Sequence, residues 1–457
     1  MSGMRSLSAG WSVAILLFAA SARGHGGTPV AQAILVNPGD PEHVVVTTQY
    51  GGLFQTHDGG SSWEWVCEQA IGYLAVDAPS ATLTASGSMT VVIPFEGISS
   101  GGSTCTFSLW PSDDSGPHFP QVRLVPQAPN EVLALRSNYT GSDYLTEIWR
   151  GDPQSSSWAV VGQPLSADLI GVSLAPAPGD ANRLYVAGGI LDPNSNNTLP
   201  VFETSRDGGT SFDRYAPSLD GVLRLIAVSP DASATAYVRL AGLDGVDQIL
   251  VFTDAGTTHH AVFSATGRLP AGALSPDGSE LVVGGPDDGL WRASTSDLQA
   301  GATGAFTKVS SLSTQALTWT DQGLYSGGNA VTDGFTVGVS QDRGETFSPF
   351  LVLCRVAGPV SCAGACPLDG QYGWSSLQEF FPLVSCETEP PPVEEQQQEQ
   401  KAVPRGGCSC ELTATPGALV AWWIMLGWPL ALLARRRSLP ERRARRVPGR
   451  HEARTRR

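Results

Sequence analysis

The stretch THDGGSSWEW, Thr56–Trp65, sets Asp58 between a hydroxyl residue and two glycines, with a tryptophan three residues further on. Its pattern is Ser/Thr-x-Asp-x-Gly-x-Ser/Thr-Trp. An aspartate in that setting has three readings: a ligand loop, a catalytic carboxylate or a turn. Copies elsewhere in the chain favour the turn. TSRDGGTSF begins at Thr204 and VSQDRGETF at Val339; FTDAGTTHHAVF, from Phe252, is looser, and ISSGGSTCTF, from Ile98, keeps Gly-Gly-Ser but lacks the Asp. Catalysis needs one asymmetric cluster, whereas architecture repeats a turn. The expected role of Asp58 is to accept hydrogen bonds from nearby backbone N–H groups, while Gly60 takes a positive φ and Trp63 packs between neighbouring units. Asp207, Gly209 and Phe212 hold the same positions in the second copy, as do Asp342, Gly344 and Phe347 in the third.

Working outward, each copy follows a second pattern: an apolar run, a Pro or Asp turn, and another apolar run. Examples are AILVNPGDPEHVVVTTQ at Ala33, YLAVDAPSATLTAS at Tyr73 and IAVSPDASATAYVRLA at Ile226. The turns centre on Pro38, Pro79, Pro126, Pro176, Pro230, Pro276 and Asp321, at spacings of 41, 47, 50, 54, 46 and 45 residues. Seven units of this length point to a repeat architecture. Each unit reads as four antiparallel strands. Seven such units predict an all-β fold, a single seven-bladed β-propeller over 23–353, in which blades stack because none can bury both faces alone. The 52 glycines, 33 prolines and 16% charged residues suit short strands joined by turns.

The repeated motif resembles the Asp-box (BNR) repeat of sialidases, sortilin-type receptors and photosystem-assembly propellers. That resemblance implies a hairpin turn between the third and fourth strands of a blade. A sialidase site would need an arginine triad, a Tyr/Glu pair and an Asp acid, usually with an Arg-Ile-Pro motif. That tripeptide is absent, and the body's 12 arginines are scattered one or two per blade. Xyloglucanase-like propellers use two facing domains, and this chain has room for one.

Charge is unevenly distributed. Gly24–Gln400 holds 13 Lys+Arg against 40 Asp+Glu, a net −27, while Arg435–Arg457 holds 11 Arg and 2 Glu. The acidic body repels nucleic acid. Residues 1–22 read as a secretory signal peptide: Arg5, an apolar run over Trp11–Ala20, then Ala20-Ser21-Ala22. Residues 389–407 are a Pro/Glu/Gln linker that cannot build a core. Within 408–437, the 19 uncharged residues Pro416–Ala434 predict a transmembrane helix, held by Arg435–Arg437 on the cytoplasmic side, and 438–457 is a basic tail. Gly407-Cys408, the apolar helix and the Arg cluster resemble the myxobacterial C-terminal sorting domain (MYXO-CTERM). The resemblance implies bacterial surface sorting, a sorting protease acting near Cys408, and lipid on Cys408 or Cys410.

An exported chain can form disulfides. Cys67 and Cys105 follow the first two turns at nearly equivalent places, so a Cys67–Cys105 bridge is expected. Cys354, Cys362, Cys366 and Cys386 predict a small disulfide cap over 354–388, with three connectivities open. No metal site or cofactor is expected. His259-His260 alternate across a strand, and GPDDG at 285–289 reads as a hairpin turn. The expected function is that of a surface-displayed, non-catalytic, monomeric propeller binding a protein or glycan through loops on one ring face or the channel. The alternative is a secreted glycoside hydrolase using carboxylates in the channel. Arginines or paired acids at the channel mouth would favour the hydrolase; exposed aromatics such as Tyr139 or Tyr144 would favour binding. An assembly factor for a membrane complex rests on fold analogy alone.

Overall fold

The structure is a computed structural model that describes residues 28–383 apart from 73–78, 94, 103–106, 112–116, 156, 193–196, 231–234, 362–365 and 370–372. The signal peptide, Cys105, Cys362, Cys386, the linker, Cys408, Cys410, the expected membrane helix and the basic tail therefore lie outside the described residues. Among those described, no helix is long and apolar enough to cross a membrane.

Seven antiparallel sheets follow one another along the chain, each with its strands in sequence order. Innermost to outermost, blade 1 runs from Val30–Asn37 to Trp63–Val66, blade 2 from Ala81–Leu83 to Phe107–Trp110, and blade 3 from Gln121–Val125 to Ser157–Val161. Blade 4 runs from Ile170–Ala177 to Asp213–Tyr215, blade 5 from Val222–Val228 to Thr258–Ser264, blade 6 from Ala271–Leu274 to Thr307–Ser310, and blade 7 from Ala316–Thr320 to Ser348–Leu351. Each innermost strand meets that of the next blade, and the seventh meets the first. The ring is a seven-bladed β-propeller.

Stacking explains the apolar runs. In Asp247–Thr253, the third strand of blade 5, alternate side chains go to opposite neighbours. Leu250 and Phe252 pack with Tyr185 and Phe202 of blade 4, and Ile249 and Val251 pack with Leu281 and Val283 of blade 6. Both faces are covered, so the strand reads as a continuous apolar run instead of alternating. The rings of Phe202 and Phe252 stack at 4.3 Å. Each such side chain, fully buried, is worth roughly 1.5–3 kcal/mol. Side chains also tie innermost strands together near the axis. Val122 N–H donates to Ser80 Oγ (3.1 Å), Leu174 N–H to Gln121 Oε1 (2.6 Å), Leu225 N–H to Ser173 Oγ (2.9 Å) and Thr318 Oγ1 to the Ile34 carbonyl (2.6 Å).

Blade 2 departs from the expected turn at Pro79. Its innermost strand starts only at Ala81, and the turn is Thr84–Ser88. Thr84 Oγ1 accepts from Ser88 N–H (3.0 Å) and donates to the Ser88 carbonyl (3.1 Å), so a threonine side chain closes the turn. Gly87, at φ 82°, completes it.

The cysteines also pair differently from expectation. Cys67 is bonded to Cys366, 299 residues away, and not to Cys105. The chain leaving blade 7 returns to blade 1, where Val356–Pro359 pairs parallel to Trp63–Val66 as a fifth strand. Val360 N–H then donates to the Trp65 carbonyl (2.9 Å). Trp374, Leu377 and Phe380 pack into the blade 1 core with Trp63 and Trp65. This backbone route delivers Cys366 to Cys67. Cys354 is disulfide-bonded as well.

Peptide mapping without reductant is expected to join the peptides holding Cys67 and Cys366. A crosslink spanning most of the ring restricts the unfolded chain strongly, so Cys366→Ser is expected to cost about 3–5 kcal/mol of stability, read from denaturant unfolding.

Candidate functional site

The three Asp turns repeat one hydrogen-bond network. In blade 1, Thr56 Oγ1 donates to Asp58 Oδ1 (2.7 Å) and accepts from Gly60 N–H (2.9 Å). Asp58 Oδ1 also accepts from Ser62 N–H (2.8 Å), and Oδ2 accepts from Ser62 Oγ (2.6 Å). Ser205, Asp207 and Ser211 repeat the arrangement in blade 4, and Ser340, Asp342 and Thr346 repeat it in blade 7. These donors hold Asp58 and Asp207 down at about 2, and Asp342 lower still, chiefly through the hydroxyl bonds from Ser62, Ser211 and Thr346. All three are anions that accept three hydrogen bonds each from the turn itself, two on Oδ1 and one on Oδ2.

The glycine two residues after each Asp meets the preceding blade. Gly60 has φ 90°, and a Cβ there would sit 2.6 Å from the Phe350 ring of blade 7; a Cβ on Gly209 would sit 2.8 Å from Val161 of blade 3. Trp63 Nε1 donates to the Phe350 carbonyl (3.2 Å) and its ring meets Phe350 edge-on at 5.4 Å. In blade 7, Phe347 packs beside Leu290 and Leu324 at the contact between blades 6 and 7; in blade 4, Phe212 joins the core between blades 3 and 4. The Asp turn is thus a device for seating one blade on another. In blade 5 the motif is one residue shorter: Asp254, at φ 50°, accepts from Thr258 Oγ1 (3.2 Å).

Antiparallel strand order puts these turns, and the turns between first and second strands, on one face of the ring. His43 and His57 stack there at 4.1 Å. The hairpins joining second to third strands lie on the opposite face. On it, Phe95 and His118 lie 4.9 Å apart and Tyr139 and Tyr144 5.3 Å apart, around a cleft of about 340 Å³ floored by Ile170 and Gly171. Phe95 is 68% and Tyr139 63% exposed. Phe95 sits at φ 61°, a region a bulky side chain seldom occupies.

A cavity of about 410 Å³ lies among the innermost strands. Arg123, Arg224 and Arg239 line it with Gln32, Ser173 and Gln315. Arg224 and Arg239 are cross-strand partners in blade 5. Arg239 donates to the Leu269 carbonyl (2.8 Å) and lies 3.6 Å from Asp247, which also takes Arg268 at 3.0 Å. Arg123 is set deep enough in the ring that loss of solvation pulls its guanidinium down to about 10, which leaves it cationic at neutral pH. In the sequence these arginines are scattered. The signal was present in the shared pattern of QVRLV at 121–125 and VLRLI at 222–226, an arginine flanked by apolar residues at the third place of an innermost strand. Among the described residues, no group of His, Cys, Asp and Glu is placed to hold a metal.

No sequence family and no curated protein matches this chain. Among solved structures it is similar to the crystal structure of the Myceliophteria thermophila Cps50 (Swd1) beta-propeller domain, with 8% identity, a TM-score of 0.42, and coverage of 65% of this chain and 93% of that one. The likeness concerns the fold alone; the blade count rests on the strand order.

Burial, aided by the neighbouring His57, lowers His43 to about 4 against an ordinary 6.5. A histidine with a depressed folded-state pKa contributes stability that is complete above about 6.5 and fades as pH falls towards 4, because the unfolded chain binds the proton first. Unfolding free energy is expected to drop by up to about 3 kcal/mol across that window, and His43→Gln to flatten the profile. Denaturant melts at pH 7, 5.5 and 4.5 check this.

Proposed function

We propose that this chain is an exported, surface-anchored, non-catalytic propeller that binds a glycan or protein on the ring face carrying Phe95, His118, Tyr139 and Tyr144. The observation that carries this reading is the pair of aromatic contacts around one cleft, each with one exposed ring, Phe95 and Tyr139. Aromatic rings left in water cost solvation unless a partner covers them, and Phe95 holds its exposed position in an unfavourable backbone region. Flat rings with polar tips suit both sugar faces and protein side chains. The Asp turns, which we read as Asp boxes of the BNR type, lie on the other face and serve the scaffold.

Phe95→Ala and Tyr139→Ala are each expected to weaken ligand binding roughly tenfold, or about 1.4 kcal/mol, with little change in melting temperature. Asp58→Ala is expected to lower the melting temperature by a few degrees and leave affinity unchanged. Glycan-array and surface-protein pull-down measurements on purified protein read out both effects. Affinity that survives the double aromatic substitution sinks the proposal. Arg123, Arg224 and Arg239 in the axial cavity are a feature expected of the hydrolase alternative, but that reading also requires two opposed carboxylates, and the described residues lining the cavity include neither Asp nor Glu. Release of sugar from any arrayed glycan would turn the reading towards it.

Export and anchoring rest on the termini. The signal peptide 1–22 starts translocation, Pro416–Ala434 halts it, and residues 389–407 tether the propeller outside as a stalk. Processing near Cys408, with lipid on that cysteine, would then replace the helix. Mass spectrometry of protein from the cell exterior is expected to find a start near Arg23 and an end near Cys408. An intact Arg457 terminus speaks against processing, and an intact Met1 against export.

A further inference from the structure

Lysine and arginine are scarce in this body: 13 against 40 acidic residues between Gly24 and Gln400. Eight of its twelve arginines have a carboxylate within 3.6 Å. Of the four with none among the described residues, Arg206 and Arg355 lie outside the axial cavity, and Arg123 and Arg224 face it. Arg239 has one at 3.6 Å, but its Nε is buried without an acceptor. Asp247, the one described carboxylate acting on Arg224 and Arg239, is shared with Arg268 and spends its other oxygen on Leu269 N–H (2.8 Å). Three guanidinium groups therefore answer to a single carboxylate, and Arg123 to none.

An acidic protein has ample means to neutralise such a cluster, since one Asp on an innermost strand would do it. Holding Arg123 deep in the ring costs it solvation, and neither it nor the lumen-exposed Arg224 gains an acidic partner close by. Guanidinium forks match the geometry of carboxylate, phosphate and sulfate oxygens, and the cavity volume falls in the range of small-molecule sites. The amides of Gln32 and Gln315 and the blade 4 Ser173 add neutral polar groups to the wall. We propose that the axial cavity is an anion site, in which Arg123 from blade 3 and Arg224 from blade 5 grip the carboxylate, phosphate or sulfate of a small molecule and Arg239 backs them. This site is distinct from the aromatic cleft and does not rest on the binding role assigned to it.

The test uses the purified full-length chain at constant ionic strength, with chloride as the reference salt. Inorganic phosphate, sulfate and glucuronate are titrated separately, by melting temperature and calorimetry. At least one is expected to raise the melting temperature saturably above the chloride control, and which one does so identifies the oxyanion. Arg123→Gln and Arg224→Gln are each expected to weaken that binding roughly tenfold or more. Arg150→Gln, a surface arginine paired with Glu131, is expected to leave it unchanged. In chloride alone, Arg123→Gln is expected to melt higher than wild type, because it removes an uncompensated charge. If Arg123→Gln fails to fold, Arg224→Gln, whose side chain is exposed to the lumen, carries the comparison. Phe95→Ala is expected to leave the anion response intact, which separates this site from the cleft. No response to any of the three anions, or an equal response in the Arg224→Gln protein, overturns the proposal.

Discussion

The fold depends on how its last blade meets its first. The four inner strands of blade 1 all come from the N-terminal end of the chain, and the strand added from beyond blade 7 sits only on its outer edge, away from the face that meets blade 7's inner strands. Closure falls instead to contacts across the seam. Trp63 lies in that seam, bonded and packed edge-on to Phe350 of blade 7, and Thr318 reaches the Ile34 carbonyl nearer the axis. The returning strand Val356–Pro359 covers the outer edge of blade 1, and Cys67–Cys366 ties it down. An open seam would expose two blade faces and the apolar side chains on them, which is why indole packing, a fifth strand and a covalent link converge there.

With the ring closed, its parts divide the work. One face carries the Asp turns, whose carboxylates are held as anions by their own hydroxyl and amide donors. The other carries the aromatic cleft. Between them, the axis collects Arg123, Arg224 and Arg239, whereas most arginines elsewhere in the acidic body sit beside a carboxylate. This division follows from topology. Strand alternation sends each class of turn to a fixed face, and the third residue of an innermost strand reaches the axial cavity in both blade 3 and blade 5.

The Asp turn was legible in the sequence because its interactions are short-ranged: Thr56, Asp58, Gly60 and Ser62 lie within six residues of one another and bond to each other. Seven units were legible because stacking imposes the same apolar runs on every blade. The blade 2 turn was misplaced because Pro79 looks like the turn prolines of other blades, while the side-chain bonds of Thr84 that make the actual turn carry no obvious pattern.

What the sequence determined by itself was therefore the local chemistry: strand, turn and repeat, and the acidic surface they carry. Tertiary structure alone decided which distant residues meet. Cys67 could pair with any cysteine by spacing, and only the return of the chain to blade 1 brings Cys366 to it over 299 residues. Arg123, Arg224 and Arg239 are spread over more than a hundred positions, and nothing in their spacing sets them around one cavity. Ring closure does so, because it turns equivalent positions of separate repeats into neighbours about an axis.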